Sequence, residues 1–417
     1  MVLMKTRQVI IGNGPAALSA IRELRHYDKS CHITVISAED CLAYSPPLLP
    51  YYVSGKINRN LLFMTKPGFY RHNAAKFLPG SRVEDIDTQR QRVVLGNGDR
   101  VGYDQLLIAT GASARRPSLN IESNEVRTLR TLDDADKILG IDKHVKTALV
   151  VGAGLVGLET TNALYQRGIA VTVMAKSKQV LSQNCNTECA GIIQGKISKK
   201  GVHFLLGEDI MEVTCLDNRL EVLTDQGSTL TVDMLIIGRG IEPNTAVLKN
   251  SGILVDRGIP VNELMQTNIP NIYAAGDVTS NRNLLTGKQE VIATWPNACI
   301  QGQKAGSNMA GKKIKFPGFI GYNVLSIFGL VAAFLGETTD SPNEREILKH
   351  HNEKKGVYRS FNLKNNRVIG ATLLEAITDT GIILNLMKNQ VDISPYKDVL
   401  VRSPISWAHV FHKMGPF

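Results

Sequence analysis

A glycine-rich segment near the start of the chain has the spacing of a phosphate-binding loop. Residues 9–20 read V-I-I-G-N-G-P-A-A-L-S-A. Gly12 would permit a tight turn, Gly14 would let the backbone approach a pyrophosphate, and Ala17 is small enough for a helix to lie close to its strand. The N–H groups at the start of that helix would face the phosphates. The segment therefore predicts a dinucleotide site, with an ordinary β-turn-α connection as the alternative.

An acidic residue follows this loop at a useful distance. A second apolar run, Ile33–Ile36, leads to Glu39, which lies 22 residues beyond Ala17. A carboxylate near that distance can accept hydrogen bonds from both hydroxyls of a ribose. Glu39 is therefore predicted to bind the ribose of the same dinucleotide.

A second glycine-rich segment lies about 140 residues further along the chain. Residues 148–159 read A-L-V-V-G-A-G-L-V-G-L-E, in which Gly152, Gly154 and Gly157 complete the same fingerprint. Two such units at this separation suggest two dinucleotide-binding domains rather than an array of short repeats.

The two units differ after their second strands. Where an NAD site usually has an acid that binds the ribose 2′-hydroxyl, the second unit has Ala175. Lys176, Ser177 and Lys178 follow it and could instead meet the 2′-phosphate of NADP. The alternative is a solvated basic loop beside an NAD site that lacks the acid. The sequence thus leaves the choice between NAD and NADP open.

The glycine loops need strands before them and helices after them, and the sequence supplies both. Short β-branched runs alternate with amphipathic stretches, which indicates parallel sheets in doubly wound α/β domains. Strands are predicted at Gln8–Ile11, Ile33–Ile36, Leu106–Ala109, Ala148–Val151, Val171–Met174 and Met234–Ile237. Helices are predicted at Ala16–His26, Leu155–Arg167 and Glu188–Lys199.

The composition argues against several function classes. The 417 residues carry a net charge of +10, but they contain no long basic run, zinc spacing or aromatic RNA-binding motif, so nucleic-acid binding is not predicted. The six cysteines include no C-x-x-C pair, so no disulfide framework, metal site or iron–sulfur cluster held by this chain alone is predicted. No signal peptide is recognised, and the apolar stretch Asn323–Gly336 is too short to span a bilayer. We expect a soluble, cytoplasmic protein with buried structural thiols.

Five segments, in this order along the chain, resemble the FAD-dependent pyridine nucleotide–disulfide oxidoreductases, flavoproteins with two dinucleotide sites. They are the first glycine loop with Glu39, the A-T-G segment Tyr103–Ala112, the second glycine loop, the A-G-D segment Thr267–Asp277, and Trp295–Gly311. The resemblance implies an α/β fold with two Rossmann-like domains and a smaller C-terminal α+β domain. The FAD-binding domain would be discontinuous, at residues 1–115 and 243–315, with NAD(P) bound by residues 116–242 and the C-terminal domain at 316–417.

The resemblance also implies roles for matching residues. Asp277 would hold the ribityl chain and pyrophosphate of FAD, with Gly276 allowing close approach. The helix near Asn297–Asn308 would point its positive N-terminal end at the N1/C2=O edge of the flavin. Glu159 would lie near the nicotinamide and flavin N5, the alternative being a solvated helical acid. Further cofactor contacts are predicted at Pro15, Ala109, Thr110, Gly111, Lys176, Gly240 and Ala298.

The chain departs from the family where disulfide reductases carry redox cysteines. Residues 41–52 read C-L-A-Y-S-P-P-L-L-P-Y-Y, with Pro47 in the place of the redox cysteine of coenzyme A disulfide reductases and NADH peroxidases. Cys41 lies six residues earlier, so no thiolate–flavin relay is predicted. The ferredoxin and rubredoxin reductase branch lacks this cysteine too. Tyr51 is a candidate to line the flavin or, alternatively, to belong to the domain core.

The expected function is that of an FAD-dependent NAD(P)H:acceptor oxidoreductase. Hydride would pass between the nicotinamide and the flavin, and electrons would pass to or from an external iron–sulfur protein. The chain is similar to FAD subunits of dehydrogenase complexes that oxidise aldehydes or phenylglyoxylate, so we expect membership of a complex, and an oligomer is possible. The alternatives are a free-standing NAD(P)H oxidase and a flavin-binding structural or sensing subunit whose nicotinamide site has lapsed. The basic stretch Lys349–Lys355 could meet an acidic partner or be a solvated face.

Overall fold

The computed structural model describes most of the chain. The described residues are 5–115, 125–140, 144–217, 219–340, 345–402 and 404–406. The predicted boundary at residue 116 and the predicted end of the C-terminal domain lie outside them.

The chain alternates strands and helices over its first half and becomes strand-rich towards its end. The α-helices are α1 (Pro15–Tyr27), α2 (Leu49–Val53), α3 (Phe69–His72), α4 (Leu132–Leu139), α5 (Leu155–Gln166), α6 (Thr187–Ser198), α7 (Trp295–Met309), α8 (Thr380–Lys388) and α9 (Lys397–Arg402). The first strands are β1 (Arg7–Ile11), β2 (His32–Ile36), β3 (Ala75–Leu78), β4 (Val83–Asp87), β5 (Arg92–Leu95), β6 (Arg100–Gly102), β7 (Gln105–Ile108), β8 (Ala112–Ala114), β9 (Val126–Arg127), β10 (Thr147–Val151), β11 (Ala170–Ala175), β12 (His203–Leu206) and β13 (Ile210–Leu216). They are followed by β14 (Arg219–Thr224), β15 (Thr229–Val232), β16 (Met234–Ile237), β17 (Ile241–Pro243), β18 (Ile259–Pro260), β19 (Ile272–Ala274), β20 (Thr279–Arg282), β21 (Gln289–Glu290), β22 (Tyr322–Ile327), β23 (Leu330–Gly336), β24 (Glu346–Asn352), β25 (Val357–Lys364) and β26 (Arg367–Leu374).

These elements group into two compact units. Unit 1 contains the described residues of Met1–Pro46, Asn58–Ser113 and Ile241–Gly321. Unit 2 contains those of Pro47–Ile57, Ala114–Gly240 and Tyr322–Phe417. Residues 47–57 belong to unit 2 because α2 packs on α4 and α5, with the Tyr52 hydroxyl donating to Asp136 of α4 at 2.8 Å. The three-domain boundaries drawn from the sequence remain a prediction.

Each unit is built on a five-stranded parallel sheet. In unit 1 the strand order is β19-β7-β1-β2-β3, and in unit 2 it is β9-β16-β10-β11-β12. The central strands β1 and β10 are buried along nearly their whole length, as expected for apolar runs covered on both faces. The nine strands and helices predicted around the glycine loops are all present, with ends that differ by at most one residue. The doubly wound α/β class is therefore confirmed.

Unit 2 also carries an antiparallel sheet followed by two helices. Its strand order is β22-β23-β26-β25-β24, and it matches the predicted C-terminal α+β part. Arg359, whose side chain is fully buried, pairs with Asp379 at 2.7 Å and also donates to the carbonyl of Leu400 in α9. Because a buried charge is costly unless it is paired, these contacts fix α9 against the sheet.

The described helices contain no segment that is both long and apolar enough to cross a membrane. Among the described cysteines, Cys31, Cys185 and Cys189 are buried, whereas Cys41 and Cys299 are partly exposed and Cys215 is exposed. The expectation that the thiols are all buried is therefore wrong for the latter three. Cys215 is exposed because it lies on β13, at the edge of the β13-β14-β15 sheet.

Candidate cofactor-binding sites

The first glycine loop joins β1 to α1 in unit 1. Gly12 has a φ of +112°, and a Cβ there would lie 2.1 Å from the carbonyl oxygen of Ala109. Both facts restrict the position to glycine, because other residues avoid this φ and no side chain fits between the two backbones. The loop therefore turns directly beside the end of β7, where the A-T-G segment begins.

The start of α1 is open to an anion. A Cβ at Gly14 would meet no atom within 4 Å, and Gly14 caps the helix without a side-chain hydrogen bond. Pro15 occupies the first turn, which holds no acidic residue. The free N–H groups and the positive end of the helix dipole are therefore available to phosphate oxygens.

Helices α1 and α7 pack with their backbones almost in contact. A Cβ at Gly302 would lie 2.0 Å from the carbonyl oxygen of Ala16, and one at Gly306 would lie 2.5 Å from that of Ala20. Gly276 of the A-G-D segment also lies against this pair, because its Cβ would be 3.3 Å from that of Ala16 and 3.7 Å from that of Ala298. The predicted residues at these three segments are thereby brought together in unit 1.

Gln301 holds the A-G-D turn in place, a role that the sequence did not indicate. Its Oε1 accepts from the backbone N–H of Gly276 at 2.7 Å and from the hydroxyl of Thr279 at 2.8 Å. Asp277 follows this turn and is partly buried. The available signal was the four-residue spacing of Gly302 and Gly306, which indicates close helix packing beside Gln301.

The start of α7 leaves buried oxygens without partners. The amide nitrogen of Asn297 donates to the carbonyl of Ile292 at 2.8 Å, but its Oδ1 has no hydrogen-bond partner. The hydroxyl of Thr294, the residue that caps the helix, is also buried and unpaired. Since a buried polar atom without a partner is costly, a ligand with polar groups fits this position.

The A-T-G segment is tied to the chain where it re-enters unit 1. The Thr110 hydroxyl donates to the carbonyl of Asn244 at 2.9 Å, and the Asn244 side chain donates back to the carbonyl of Thr110 at 2.9 Å. Gly111 has a φ of +67° and accepts from the N–H of Asn244. Thr110 and Gly111 therefore fix the A-T-G segment to Asn244. Contact with a cofactor would be a second role of these two residues.

Glu39 lies after β2 at the carboxyl edge of the unit 1 sheet. Its side chain is exposed, and its Oε2 accepts from the Tyr44 hydroxyl at 2.8 Å. Nearby, the Tyr70 hydroxyl donates to Asn13 of the glycine loop at 2.5 Å, and Asn13 donates to the carbonyl of Cys41. Neither tyrosine was singled out from the sequence. Tyr44 binds Glu39, whereas Tyr70 reaches the loop from a segment 57 residues away.

The second glycine loop joins β10 to α5 in unit 2 and repeats the geometry of the first. Gly152 has a φ of +122°, and a Cβ there would lie 2.1 Å from the carbonyl oxygen of Gly238. A Cβ at Gly154 would meet no atom within 4 Å, whereas one at Gly157 would lie 1.8 Å from the carbonyl oxygen of Gly152. The first turn of α5 holds no acidic residue. The residues present therefore fit a pyrophosphate at this helix start as well.

The basic residues after β11 are largely solvated. Lys176 and Lys178 are exposed, while Ala175 is buried. The Ser177 hydroxyl donates to the carbonyl of Gln179 at 2.7 Å. Gly240 follows β16 with a φ of +86° and accepts from the N–H of Arg115 at 3.0 Å.

Glu159 lies one turn into α5 and is not a freely solvated acid. Its side chain is partly buried, and burial raises the pKa of its carboxyl to about 7. A carboxyl with this pKa is present in both protonation states at neutral pH. A perturbed acid beside a phosphate-binding loop is a candidate functional group.

Tyr51 lies on α2, which packs against α5 within unit 2. Its ring is partly buried and lies 5.6 Å from the Lys56 ammonium group. Tyr51, the candidate to line the flavin, and Glu159, predicted to lie near the nicotinamide, therefore belong to neighbouring helices of the same unit. In the part of the chain that the structure describes, no three His, Cys, Asp or Glu side chains are grouped so that they could hold a metal ion.

Comparison with known proteins assigns this chain to a family. Residues 6–302 match the model of the pyridine nucleotide-disulphide oxidoreductases. The chain belongs to this family. It is thus an FAD-dependent NAD(P)H oxidoreductase by class, as the sequence predicted.

Two relatives and one solved structure illustrate the similarity. The epsilon subunit of NADH-dependent phenylglyoxylate dehydrogenase from Aromatoleum evansii is 31% identical over 405 residues, which are 96% of each chain. An NADH oxidase from Methanocaldococcus jannaschii is 32% identical over 351 residues, covering 82% of this chain and 78% of the relative. The covalent putidaredoxin reductase–putidaredoxin complex matches with a TM-score of 0.87 and 24% identity over 95% of both chains, which shows a shared fold.

Proposed function

We propose that this chain binds FAD in unit 1 and NAD(P) in unit 2, and passes electrons between the nicotinamide and a separate iron–sulfur protein as a subunit of a dehydrogenase complex. The observation that carries the proposal is the pair of glycine loops. Each turns into a helix whose start has open space above its second glycine and no acid in its first turn. Two such helix starts in one chain fit two pyrophosphates.

The assignment of FAD to unit 1 has additional support. Asn297 and Thr294 leave buried oxygens unpaired at the start of α7, and Glu39 stands after β2 where a ribose can be bound. Gln301 fixes Gly276, so that the adjacent Asp277 is held in one place. Asp277, Asn297 and the start of α1 would hold the flavin dinucleotide, with Ala298 and Ala109 packing beside them.

The chemistry would come from the cofactors, and the protein would position them. When bound, a flavin and a nicotinamide exchange a hydride, and a flavin can release its two electrons one at a time. The chain's own contribution includes Glu159, whose raised pKa lets its carboxyl hold a proton at neutral pH. Tyr51, on the helix packed against α5, would help to exclude water.

The proposal of an external electron partner rests on the cysteines and on the relatives. The segment before α2 has Pro47 where a redox cysteine would stand, and Cys41 lies six residues earlier in the chain. One relative is a subunit of phenylglyoxylate dehydrogenase, and the solved structure of similar fold is in complex with putidaredoxin. An iron–sulfur partner would accept the electrons of the reduced flavin one at a time.

Anaerobic stopped-flow mixing with NADH or NADPH tests the proposed electron transfer. The flavin absorbance near 450 nm should bleach within seconds with at least one of them, a rate on the order of 1–1000 per second being ordinary for enzymes. Failure of both nucleotides to bleach the flavin would contradict the proposal and favour a lapsed nicotinamide site. Pull-down of the native protein, with iron and sulfide analysis of what accompanies it, should recover an iron–sulfur subunit.

A free-standing NAD(P)H oxidase is the second candidate, favoured by the relative of that name. The two functions separate after the flavin has been reduced. Admitting air should reoxidise the flavin slowly if an iron–sulfur protein is the acceptor. Reoxidation at the rate of reduction, with no iron–sulfur protein recovered in the pull-down, would support the oxidase instead.

A further inference from the structure

Ala175, at the end of β11, stands where an NAD site ordinarily has an acid, and the adjacent strand β12 leads to another acid, Glu208. Strand β12 pairs in parallel with β11, with Leu206 beside Ala175, so both strands end at the same edge of the sheet. The chain then turns back at Gly207, and the N–H of Glu208 donates to the carbonyl of Ala175 at 3.2 Å. Glu208 is therefore held next to the position where an NAD site ordinarily has its acid.

Glu208 and the next residue differ in what they bind. Asp209 forms an ion pair with Arg239 and accepts from the N–H of Ile210, so its carboxylate is already engaged. The Oε2 of Glu208 is buried and has no hydrogen-bond partner. A shielded carboxylate oxygen without a donor is unfavourable, so this position fits a ligand that brings hydroxyl donors.

The two forms of nicotinamide dinucleotide meet this oxygen differently. The ribose of NAD offers hydroxyl groups that can donate to a carboxylate, whereas a 2′-phosphate brings negative charge and acceptor oxygens. Lys176 and Lys178 would favour the phosphate, but both are exposed, and exposed charges are strongly screened. Repulsion from a partly buried carboxylate is screened less, so it should dominate.

We propose that Glu208 takes the place of the missing acid at Ala175, binds the adenine ribose hydroxyls from β12, and makes the site select NAD over NADP. This inference rests on the proposed binding of a nicotinamide dinucleotide in unit 2. It assigns the nucleotide preference to a residue outside the segment that follows β11. Gly207 allows the arrangement, since its φ of +86° turns the chain back towards Ala175.

Calorimetric titration of the FAD-loaded protein with ADP-ribose and 2′-phospho-ADP-ribose tests the proposal without turnover. The wild-type protein should bind ADP-ribose at least about tenfold more tightly than the phosphorylated form. Glu208→Gln, which keeps the shape but removes the charge, should weaken ADP-ribose binding about tenfold and reduce the preference to about threefold or less, as expected when one charged hydrogen-bond acceptor is lost.

A control variant and a second variant at Glu208 show whether the change in affinity is specific to the Glu208 carboxylate. Glu212 lies on β13 with its side chain exposed, and Glu212→Gln should leave both affinities unchanged. Glu208→Asp keeps the charge but shortens the side chain, so it should weaken ADP-ribose binding while still rejecting the 2′-phosphate. Melting temperature and flavin absorbance confirm that each variant is folded.

Two outcomes would overturn the inference in distinguishable ways. If Glu208→Gln binds both ligands as the wild type does, or if the wild type prefers the phosphorylated ligand, then Glu208 is not the selecting residue, although the proposed function stands. If the wild-type protein binds neither ligand, the nicotinamide site itself is refuted.

Discussion

The two glycine loops of this chain place their first glycines in nearly the same geometry. Gly12 and Gly152 have φ values of +112° and +122°, and a Cβ at either would lie 2.1 Å from a backbone oxygen of the neighbouring strand's end. Four strands of each sheet also correspond in order, with β7-β1-β2-β3 in unit 1 matching β16-β10-β11-β12 in unit 2. The comparison shows that the turn itself, and not the identity of the ligand, requires glycine at this position.

The loops differ at their third position. Unit 1 accommodates the side chain of Ala17, which is fully buried, whereas a Cβ at Gly157 would lie 1.8 Å from the carbonyl oxygen of Gly152. Helix α5 therefore lies closer to its own loop than α1 does. The same fingerprint thus tolerates a methyl group in one unit and excludes it from the other.

The units also differ in where they carry acids. Unit 1 has Glu39 after its second strand, and Ser19 in α1 occupies the place that Glu159 has in α5. Unit 2 has Ala175 at the end of its second strand but carries the perturbed Glu159 in its helix. On the proposed function, the shared frame would hold a dinucleotide in both units, and these acids would distinguish the two sites.

Among changes at the third positions of the two loops, Gly157→Ala should have the larger effect. The added methyl group would overlap the backbone of Gly152, which cannot move away without opening the loop, so the free energy of unfolding should fall by about 3 kcal/mol. Bleaching of the flavin by NADH should be lost as well. Denaturant titration and stopped-flow absorbance measure the two effects.

Gly191→Ala is the matched control for that change. Gly191 lies within α6, and a Cβ there would meet no atom within 4 Å. Alanine favours the helix over glycine, so this variant should be unchanged or more stable by up to about 1 kcal/mol. Equal destabilisation by both alanines would refute the steric account of Gly157.

Glu159→Gln should change how stability depends on pH. Because burial raises the pKa of Glu159 from 4.5 to about 7, the folded chain binds more protons than the unfolded chain between these values. Stability is therefore lost as pH rises through this window, and the variant avoids that loss. At pH 8 Glu159→Gln should be more stable than the wild type by up to about 3 kcal/mol, with little difference near pH 4.5.

Urea unfolding at both pH values measures this difference. The exposed Glu212 provides the comparison, since a substitution at the surface such as Glu212→Gln should change stability by no more than about 0.5 kcal/mol. A difference for Glu159→Gln that is the same at both pH values would mean that its carboxyl is not perturbed.

Glu39→Gln should weaken the retention of FAD by unit 1. Removing the charge weakens hydrogen bonds from ribose hydroxyls, and a loss of about 1–2 kcal/mol corresponds to roughly tenfold in affinity. Flavin release during dilution, followed by fluorescence, measures the change. Asp40→Asn, at the exposed neighbouring position, should release flavin as the wild type does. If Glu39→Gln retains FAD as well as the wild type does, then Glu39 does not bind the cofactor.

Ala17→Gly should have the smallest effect. The methyl group of Ala17 is buried without an overlap like that at Gly157, so its removal costs mainly helix propensity and a small contact, about 1 kcal/mol. Flavin should be retained. A loss of unfolding free energy as large as that of Gly157→Ala would mean that the third positions of the two loops are equally constrained. That result would contradict the difference seen in the structure.

The elements around the glycine loops could be predicted because their signals are local. The strand β1, the turn at Gly12 and the helix α1 follow one another along the chain, and apolar periodicity and glycine spacing are read within such a window. The same holds for β10, Gly152 and α5. Residues 47–57 lacked such a signal, since only the contacts of α2 with α4 and α5 place them in unit 2.

By itself, the sequence determined the α/β class, the two dinucleotide frames and the family, because each depends on residues within a short stretch. Tertiary structure decided what lies beside those frames. Gln301 reaches Gly276, and Glu208 is held at Ala175, through the packing of α7 on α1 and of β12 on β11. Burial likewise set the pKa of Glu159. Such facts depend on residues that are distant in sequence, so no local pattern encodes them.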